Sequence, residues 1–499
     1  MVSIRGIVAS GRLGGRRRAA ARGGKGVSPS GSGGVFSALR YRNYRLFWFG
    51  QLISVTGTFM QSTAQAWLVL TLTPNPLALG LIGALQFGPL LVPFGGVIGD
   101  RFPRRKVLVA TQAAAGVLAL ILFFLTLTHL ITLWQLYLLA LGLGIVNAVD
   151  MPTRQAFVSE MVPSNDLLNA VSLNSAQFNM SRIVGPGLAG LAIALFGMPP
   201  LFFFNAISYV AVIVGLVMMR PADLVPQPRA ALAHGVARIR AMGEGFRFML
   251  SDPIMRVTLL MIAVTGTLGF NFNVLLPLEA RTQLVAGPQI FGFLTSALGV
   301  GALIGALTLA KRGGSPTNKL LISMTGAFGV LEAAAGLTRS VPVALVLIAF
   351  TGFFMSSFSA AANTRTQLAS PPEIRGRVMS VYTMVFVGTT PIGNLLVSGV
   401  VSGGGVTAGW LVSGIPCLLV AVVAAWLWRR SPARAAVRET VVEAPAPVAG
   451  TSPAMALPAP PELPLPTMTP LATPRRMPAS PSRSMPGAPR PQPRAANRD

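Results

Sequence analysis

About twelve apolar stretches, most of them near twenty residues long, recur along the chain. They lie near 46–72, 77–99, 107–128, 131–150, 169–197, 200–219, 257–280, 290–310, 319–338, 341–362, 378–401 and 407–428. A helix of about twenty residues crosses a hydrocarbon core of roughly 30 Å. Within lipid the backbone must satisfy its own hydrogen bonds, so each stretch predicts a transmembrane helix. The densest polar interruption is Gly96–Lys106, GVIGDRFPRRK. Charge of this density cannot enter hydrocarbon, so the chain turns in water there. Topology alone asks only for cations; an acid, Asp100, set before Arg101, Arg104, Arg105 and Lys106 suggests an ion-pair latch.

Two segments break the rhythm differently. In 220–256, Val236, Ile239, Met242, Phe246 and Met249 recur at helical spacing with Arg238, Arg240 and Arg247 between them. That pattern predicts a helix at headgroup level, with a partner-binding helix as the alternative. Residues 1–38 and 431–499 have no apolar period. The first is Gly/Ser/Arg-rich and lacks the apolar core of a secretory signal; a disordered basic tail is the reading, a transit peptide the alternative. The second, rich in Pro, Ala, Ser and Arg, predicts a disordered tail. The expected organisation is a basic tail (1–38), a six-helix bundle (39–220), a linker with an amphipathic helix (221–256), a second six-helix bundle (257–430) and a Pro-rich tail (431–499).

Composition agrees with an all-α integral membrane protein. Of 499 residues, 52% are hydrophobic and 11% charged, against roughly 25% charged in soluble chains. The net charge of +26 would point to nucleic acid in a soluble protein. Here the cations sit in loops and tails, where they set topology and attract anionic lipids, so no nucleic-acid partner is expected. The single cysteine, Cys417, excludes an intrachain disulfide, and His129 and His234 are too far apart for a metal pair. Neither GGKGVS in the first tail nor GVGALIG in the eighth stretch has phosphate-loop spacing. No metal, no cofactor and no enzymatic activity are expected, and a monomer is the expected state.

Loop charge orients the chain. The loops after stretches 2, 4, 6, 8 and 10 carry Arg101/Arg104/Arg105/Lys106, Arg154, Arg220 through Arg256, Lys311/Arg312/Lys319 and Arg365/Arg375/Arg377. The loops after 1, 3, 5 and 11 carry no Lys or Arg, and those after 7 and 9 only Arg281 and Arg339. Positive loops stay inside, so both termini are expected in the cytoplasm. The halves also echo one another. LGLIGALQFGPLLVPFGG (79–96) has the pattern of FGFLTSALGVGALIGALT (291–308), and Thr153-Arg154 recurs as Thr364-Arg365. NAVS (169–172) is echoed by RVMS (377–380), and the Gly185-Pro186-Gly187 break by Pro391-Ile392-Gly393. Such repeats about an axis along the membrane normal are a transporter architecture.

These residues carry a resemblance. Gly96, Asp100, Arg101, Arg104 and Arg105 occupy the defining positions of the loop 2–3 signature of the major facilitator superfamily. SRIVGPGLAG (181–190) resembles the Gly-Pro motif of its proton-antiporting drug exporters, without that motif's upstream glycines. YRNYRLFWFGQLISVTG, DMPTRQAFVSEMVP and LNAVSLNSAQFNMSRIVGP are similar to the bacterial secretion-effector branch, which includes enterobactin exporters and macrolide-efflux proteins. The resemblance implies a gate at Asp100, which would pair with Arg154 and cap the start of stretch 11 when the transporter opens outward; a topology patch is the plainer reading.

Arg182 falls near mid-membrane, where an arginine costs about 2.5–3.5 kcal/mol on insertion scales and so seeks a wet cavity or an acid. Asn174, Gln177, Phe178 and Ser181 recur on its helix, and Gln61 and Gln65 on the first, as a candidate substrate path. A structural arginine bound by carbonyls is the alternative. Gly185 and Pro186 interrupt the same helix, either at the cavity or as a packing kink. Among the few intramembrane acids, Glu279 is the candidate for proton coupling, with an exposed pair to Arg281 as the alternative; Glu332 would pair with Arg339. The expected function is export of a small amphipathic organic compound, a drug or siderophore, by alternating access with proton antiport. Uptake of a metabolite, or a receptor or scaffold that keeps the fold without transport, are the alternatives.

Overall fold

The computed structural model describes residues 34, 36–88, 101–225 and 235–430. All of them fall within one compact unit, and among them every regular element is a helix. In the first half these are α1 (Arg42–Leu72), α2 (Leu77–Phe87), α3 (Arg104–Leu127), α4 (Leu133–Met161), α5 (Leu167–Phe196) and α6 (Pro199–Val217). A connecting helix, α7 (Gly235–Ser251), leads into the second half. There follow α8 (Pro253–Val264), α9 (Phe272–Leu278), α10 (Pro288–Arg312), α11 (Asn318–Ala335), α12 (Val341–Ala369), α13 (Arg375–Gly388) and α14 (Thr390–Arg430).

Eight helical stretches among the described residues are long and apolar enough to cross a membrane. One, Arg375–Arg430, spans 56 residues, far more than the roughly twenty one crossing needs. It crosses twice, because Gly405 at φ 78 turns the chain back. Only glycine adopts that backbone conformation without a steric cost. With α1, α11 and the second stretch, of which α2 is the described part, the count reaches about twelve, in two sixes.

Helix ends follow local chemistry. Thr132 and Gln135 form a capping box at the start of α4, Gln135 accepting from the Thr132 N–H at 2.8 Å. Thr317 caps α11 by accepting from Leu320 N at 3.3 Å. Gly197, at φ 77, ends α5.

Three expectations need correction. The fourth stretch does not end at Asp150; α4 runs on to Met161, so Arg154 sits on a helix rather than a loop. The extension holds because Phe157, Val158 and Met161 join a core with Tyr44, Phe47 and Leu108. The seventh stretch is not one helix. It breaks into α8, a π turn (Thr265–Gly269), α9 and a second π turn (Glu279–Gln283). Asn271 supports the break by donating to the carbonyls of Thr267 (2.8 Å) and Leu268 (2.7 Å). A side chain here replaces the backbone donors that lipid cannot supply. The fifth stretch is not interrupted at Gly185 and Pro186: α5 runs unbroken from Leu167 to Phe196 with Pro186 inside it, whereas the eleventh is interrupted at Thr389, next to the break expected at Pro391.

The cores divide along the membrane normal. Successive crossings alternate in direction, which puts the basic segments (40–45, 101–106, 154–166, 311–319, 365–377, 429–430) on one side, here the basic end. There the first half buries Tyr44, Phe47, Phe157 and Leu216 in one cluster. The second half buries Met261, Phe358, Tyr382 and Val420 in another. Toward the opposite end a single cluster draws on both halves, uniting Leu68, Ile193 and Phe202 with Phe291, Val397 and Trp410. Leu138, Phe196, Val346 and Leu419 are among the exposed apolar residues, as a surface solvated by lipid requires.

Candidate functional site

The two halves meet along glycine-rich seams. Where α5 crosses α10, a Cβ on Gly292 would lie 2.4 Å from the Pro186 carbonyl oxygen, and one on Gly190 2.6 Å from that of Pro288. Only glycine allows this backbone approach, the small-residue packing of membrane helices. Ser296 Oγ crosses the seam to donate to the Ile183 carbonyl at 2.6 Å. The last glycine of this seam is Gly299, which faces Ile183 and the Arg182 carbonyl. Pro186 cannot donate to that carbonyl as the helical pattern would have it. A second seam joins α2 to α14, where Gly80 and Gly83 face Asn394 and Ser398. Trp67 stacks on Phe291 with ring centroids 6.2 Å apart. All these contacts lie away from the basic end. Toward the basic end, the main packing of α13 among the described residues is on α7, α8, α12 and α14.

Arg182 therefore stands beside the last glycine of the seam. Its Nη2 donates to Asn179 Oδ1 at 3.0 Å, while its buried Nε has no hydrogen-bond partner. Asn179 was not singled out from the sequence; its i, i+3 spacing to Arg182 was the available signal. The expected polar stripe on α5 splits into two faces. Ser181 is fully buried and accepts from Thr56 Oγ1 at 2.9 Å, and Gly185 lies against Phe59. Gln177 is buried. Asn174 accepts from the Tyr44 hydroxyl at 3.1 Å. Asn174, Ser181 and Gly185 thus turn toward α1. Phe178 is 48% exposed and meets Phe59 edge-on, and Asn179 and Arg182 beside it are half-buried.

Gln61 and Gln65 are also corrected: neither lines an open path. Gln61 Oε1 accepts from Asn205 Nδ2 at 2.8 Å, and Gln65 Oε1 from Gln86 Nε2 at 3.3 Å, both within the first half. A buried amide turns to the nearest partner, because an unmade bond costs about 1–3 kcal/mol.

At the basic end the expected gate is partly in view. Gly96 and Asp100 lie outside the described residues. Arg101 is exposed. Arg104 donates to Glu160 at 2.6 Å. Arg105 caps the end of α6, donating to the carbonyls of Leu216 (2.7 Å) and Val217 (2.9 Å). Arg154 pairs with Asp150, one turn back on its own helix, and donates to Gln51 Oε1 at 2.9 Å. Asp150 is almost fully buried and also accepts from Thr111 and Gln112, both at 2.8 Å. Sequence reasoning placed Asp150 at a helix end and missed its place at the centre of this network.

The second half holds two buried carboxyls. Glu279, in the second π turn, accepts from Trp410 Nε1 at 2.9 Å, and its other oxygen has no partner. Arg281 is exposed, so the exposed Glu279–Arg281 pair is not what forms. Just beyond, Gln283 donates to the Gly336 (2.7 Å) and Thr338 (2.8 Å) carbonyls and accepts from Thr407 at 3.1 Å, tying α11 and α14 together. Glu332 is fully buried with neither oxygen bonded, so the pairing with Arg339 does not form.

The family profile described as transmembrane secretion effector matches residues 33–449. The staphyloferrin A transporter of Staphylococcus aureus is 24% identical over 386 residues, covering 76% of this chain and 94% of that protein. The multidrug efflux pump Tap of Mycolicibacterium fortuitum is 27% identical over 398 residues, covering 77% and 95%. The enterobactin exporter EntS of Escherichia coli O1:K1 is 27% identical over 393 residues, covering 76% and 92%. Among solved structures, a bacterial homologue of the human lysosomal transporter Spinster, inward-facing and unoccupied, aligns with TM-score 0.58 and 13% identity over 78% of this chain and 96% of its own. The nucleoside transporter NupG aligns with TM-score 0.59 and 12% identity over 78% and 100%. At these identities the structures show a shared fold.

Proposed function

Because the chain belongs to the transmembrane secretion effector family of the major facilitator superfamily, we propose that it exports a small amphipathic organic compound, a siderophore or drug, by alternating access coupled to proton antiport. The chain is a multi-pass membrane transporter, and its curated relatives include a multidrug efflux pump and an enterobactin exporter. The observation that carries the mechanism is the division of the cores: one shared cluster away from the basic loops, separate clusters beside them. Two bundles whose shared core, among the described residues, lies at one end can rock about that contact, as alternating access requires.

In this reading the basic end faces the cytoplasm, in line with the positive-inside rule. Substrate enters there and meets Phe178, Asn179 and Arg182, with Asn174 on the shoulder of the path and Gly185 and Pro186 at the rocking contact. Gly96, Asp100, Arg101, Arg104 and Arg105, with Arg154, form the gate that closes this end when the other opens. Glu279 carries the proton. It lies just inside the sealed end, next to the Gln283 tie, the side from which a proton moving inward arrives. Its partner is an indole N–H rather than a cation, so no counter-charge fixes it in one protonation state.

Accumulation of labelled siderophores and drugs in inverted vesicles, with and without a pH gradient, tests the reading. Uptake independent of ATP and abolished by a protonophore is expected. Arg182→Ala should lose accumulation while remaining in the membrane at normal levels. Glu279→Gln should retain substrate exchange but lose at least tenfold of the gradient-driven rate, an allowance within the range of proton-transfer catalysis. Undiminished gradient-driven uptake by both variants would refute the assigned roles.

A further inference from the structure

We propose that a groove on the outer wall of the second half, at its basic end, binds one anionic phospholipid. The inference is independent of the export reading. The groove lies between the start of α8, the start of α11 and the end of α14, and encloses about 400 Å³, within the size range of small-ligand sites. Its floor is apolar: Val257, Met261, Leu321 and Ile322 line it. It opens on the exposed side chains of Leu260 and Leu427, on the face that meets lipid rather than between the halves.

The mouth is cationic. Arg256 and Arg430 line it, and none of the lining residues is acidic. Arg430 stacks over the Trp426 ring at 3.9 Å from its centroid. Lys319 stands over Trp428, itself a lining residue, at 5.7 Å. The aromatic faces hold both cations at the level where tryptophan marks the membrane interface. A guanidinium presents paired N–H donors that match phosphate oxygens. An occupant with a phosphodiester head and an acyl tail satisfies both parts of the groove, whereas a free phosphate leaves the apolar floor uncovered.

Native mass spectrometry of the full chain with equal phosphatidylglycerol and phosphatidylcholine is the test. One phosphatidylglycerol should be retained in preference. Each cation near an anionic headgroup is worth about fivefold in affinity. The combined Arg256→Gln, Lys319→Gln and Arg430→Gln variant should therefore lose roughly 100-fold. Leu260→Trp, which narrows the groove and keeps its cations, should also displace the lipid. Lys311→Gln with Arg312→Gln, exposed at the end of α10 outside the groove, should change nothing. Equal retention of the two lipids would overturn the proposal. So would equal loss in the Lys311/Arg312 variant, which means diffuse attraction, or displacement by soluble glycerol 3-phosphate, which means a phosphate site.

Discussion

The two halves repeat one pattern of helices but treat their buried polar groups in opposite ways. In the first half most are bonded: Asp150 gathers Arg154, Thr111 and Gln112, Gln51 joins through Arg154, and Gln61 meets Asn205. Of the described buried side-chain atoms without a partner, three lie there, on Gln51, Gln112 and Arg182. In the second half Asn271, Glu279, Glu332, Arg365, Asn394 and Ser413 all keep such atoms, and both oxygens of Glu332 are among them. An unpaired buried group costs free energy, so a half that carries several is less firmly committed to one arrangement. The first half is the more fully bonded of the two, and the second keeps more of its buried polar groups uncommitted. The broken α8–α9 crossing, with its two π turns, adds to this contrast, because such turns recur where helices do functional work.

The comparison can be broken in three places. The largest effect is expected at Asp150. Asp150→Ala strands Arg154 beside buried amides, and removing one partner of a buried pair costs about 3–5 kcal/mol. Thermal unfolding of the purified protein should show the loss; an unchanged midpoint would mean that the network is not what stiffens the first half. Next is the seam that joins the halves. Gly292→Val places branched carbon against the Pro186 carbonyl, and overpacking of this kind costs about 1–3 kcal/mol. Spin labels at Leu138 and Val346, one in each half, should report altered separation of the bundles, and wild-type distances would count against a seam this tight. The smallest effect is expected at Glu332. Neither oxygen is bonded, so Glu332→Gln should change stability by less than about 1 kcal/mol, since there is no bond to lose. A loss as large as that of Asp150→Ala would erase the distinction between the halves.

Much of this molecule was written in its linear order. The number of crossings was legible because hydrocarbon forces each helix to close its own hydrogen bonds within about twenty residues, a local condition that any window of sequence reveals. The cationic loops and the Asp100 signature were legible for the same reason: charge cannot hide in lipid. What the linear order left open was rotation and register, which depend on neighbours more than a hundred positions away. Gln61 could have faced a path, but Asn205, 144 residues on, offered the bond it took. Arg154 looked like a loop cation until Phe157 and Met161 found a core and carried α4 past it. The seam at one end, the split of the α5 stripe and the unbonded carboxyl of Glu332 are likewise outcomes of packing. Helix formation in a membrane is settled residue by residue, whereas the direction each side chain faces is settled only when the helices choose their partners.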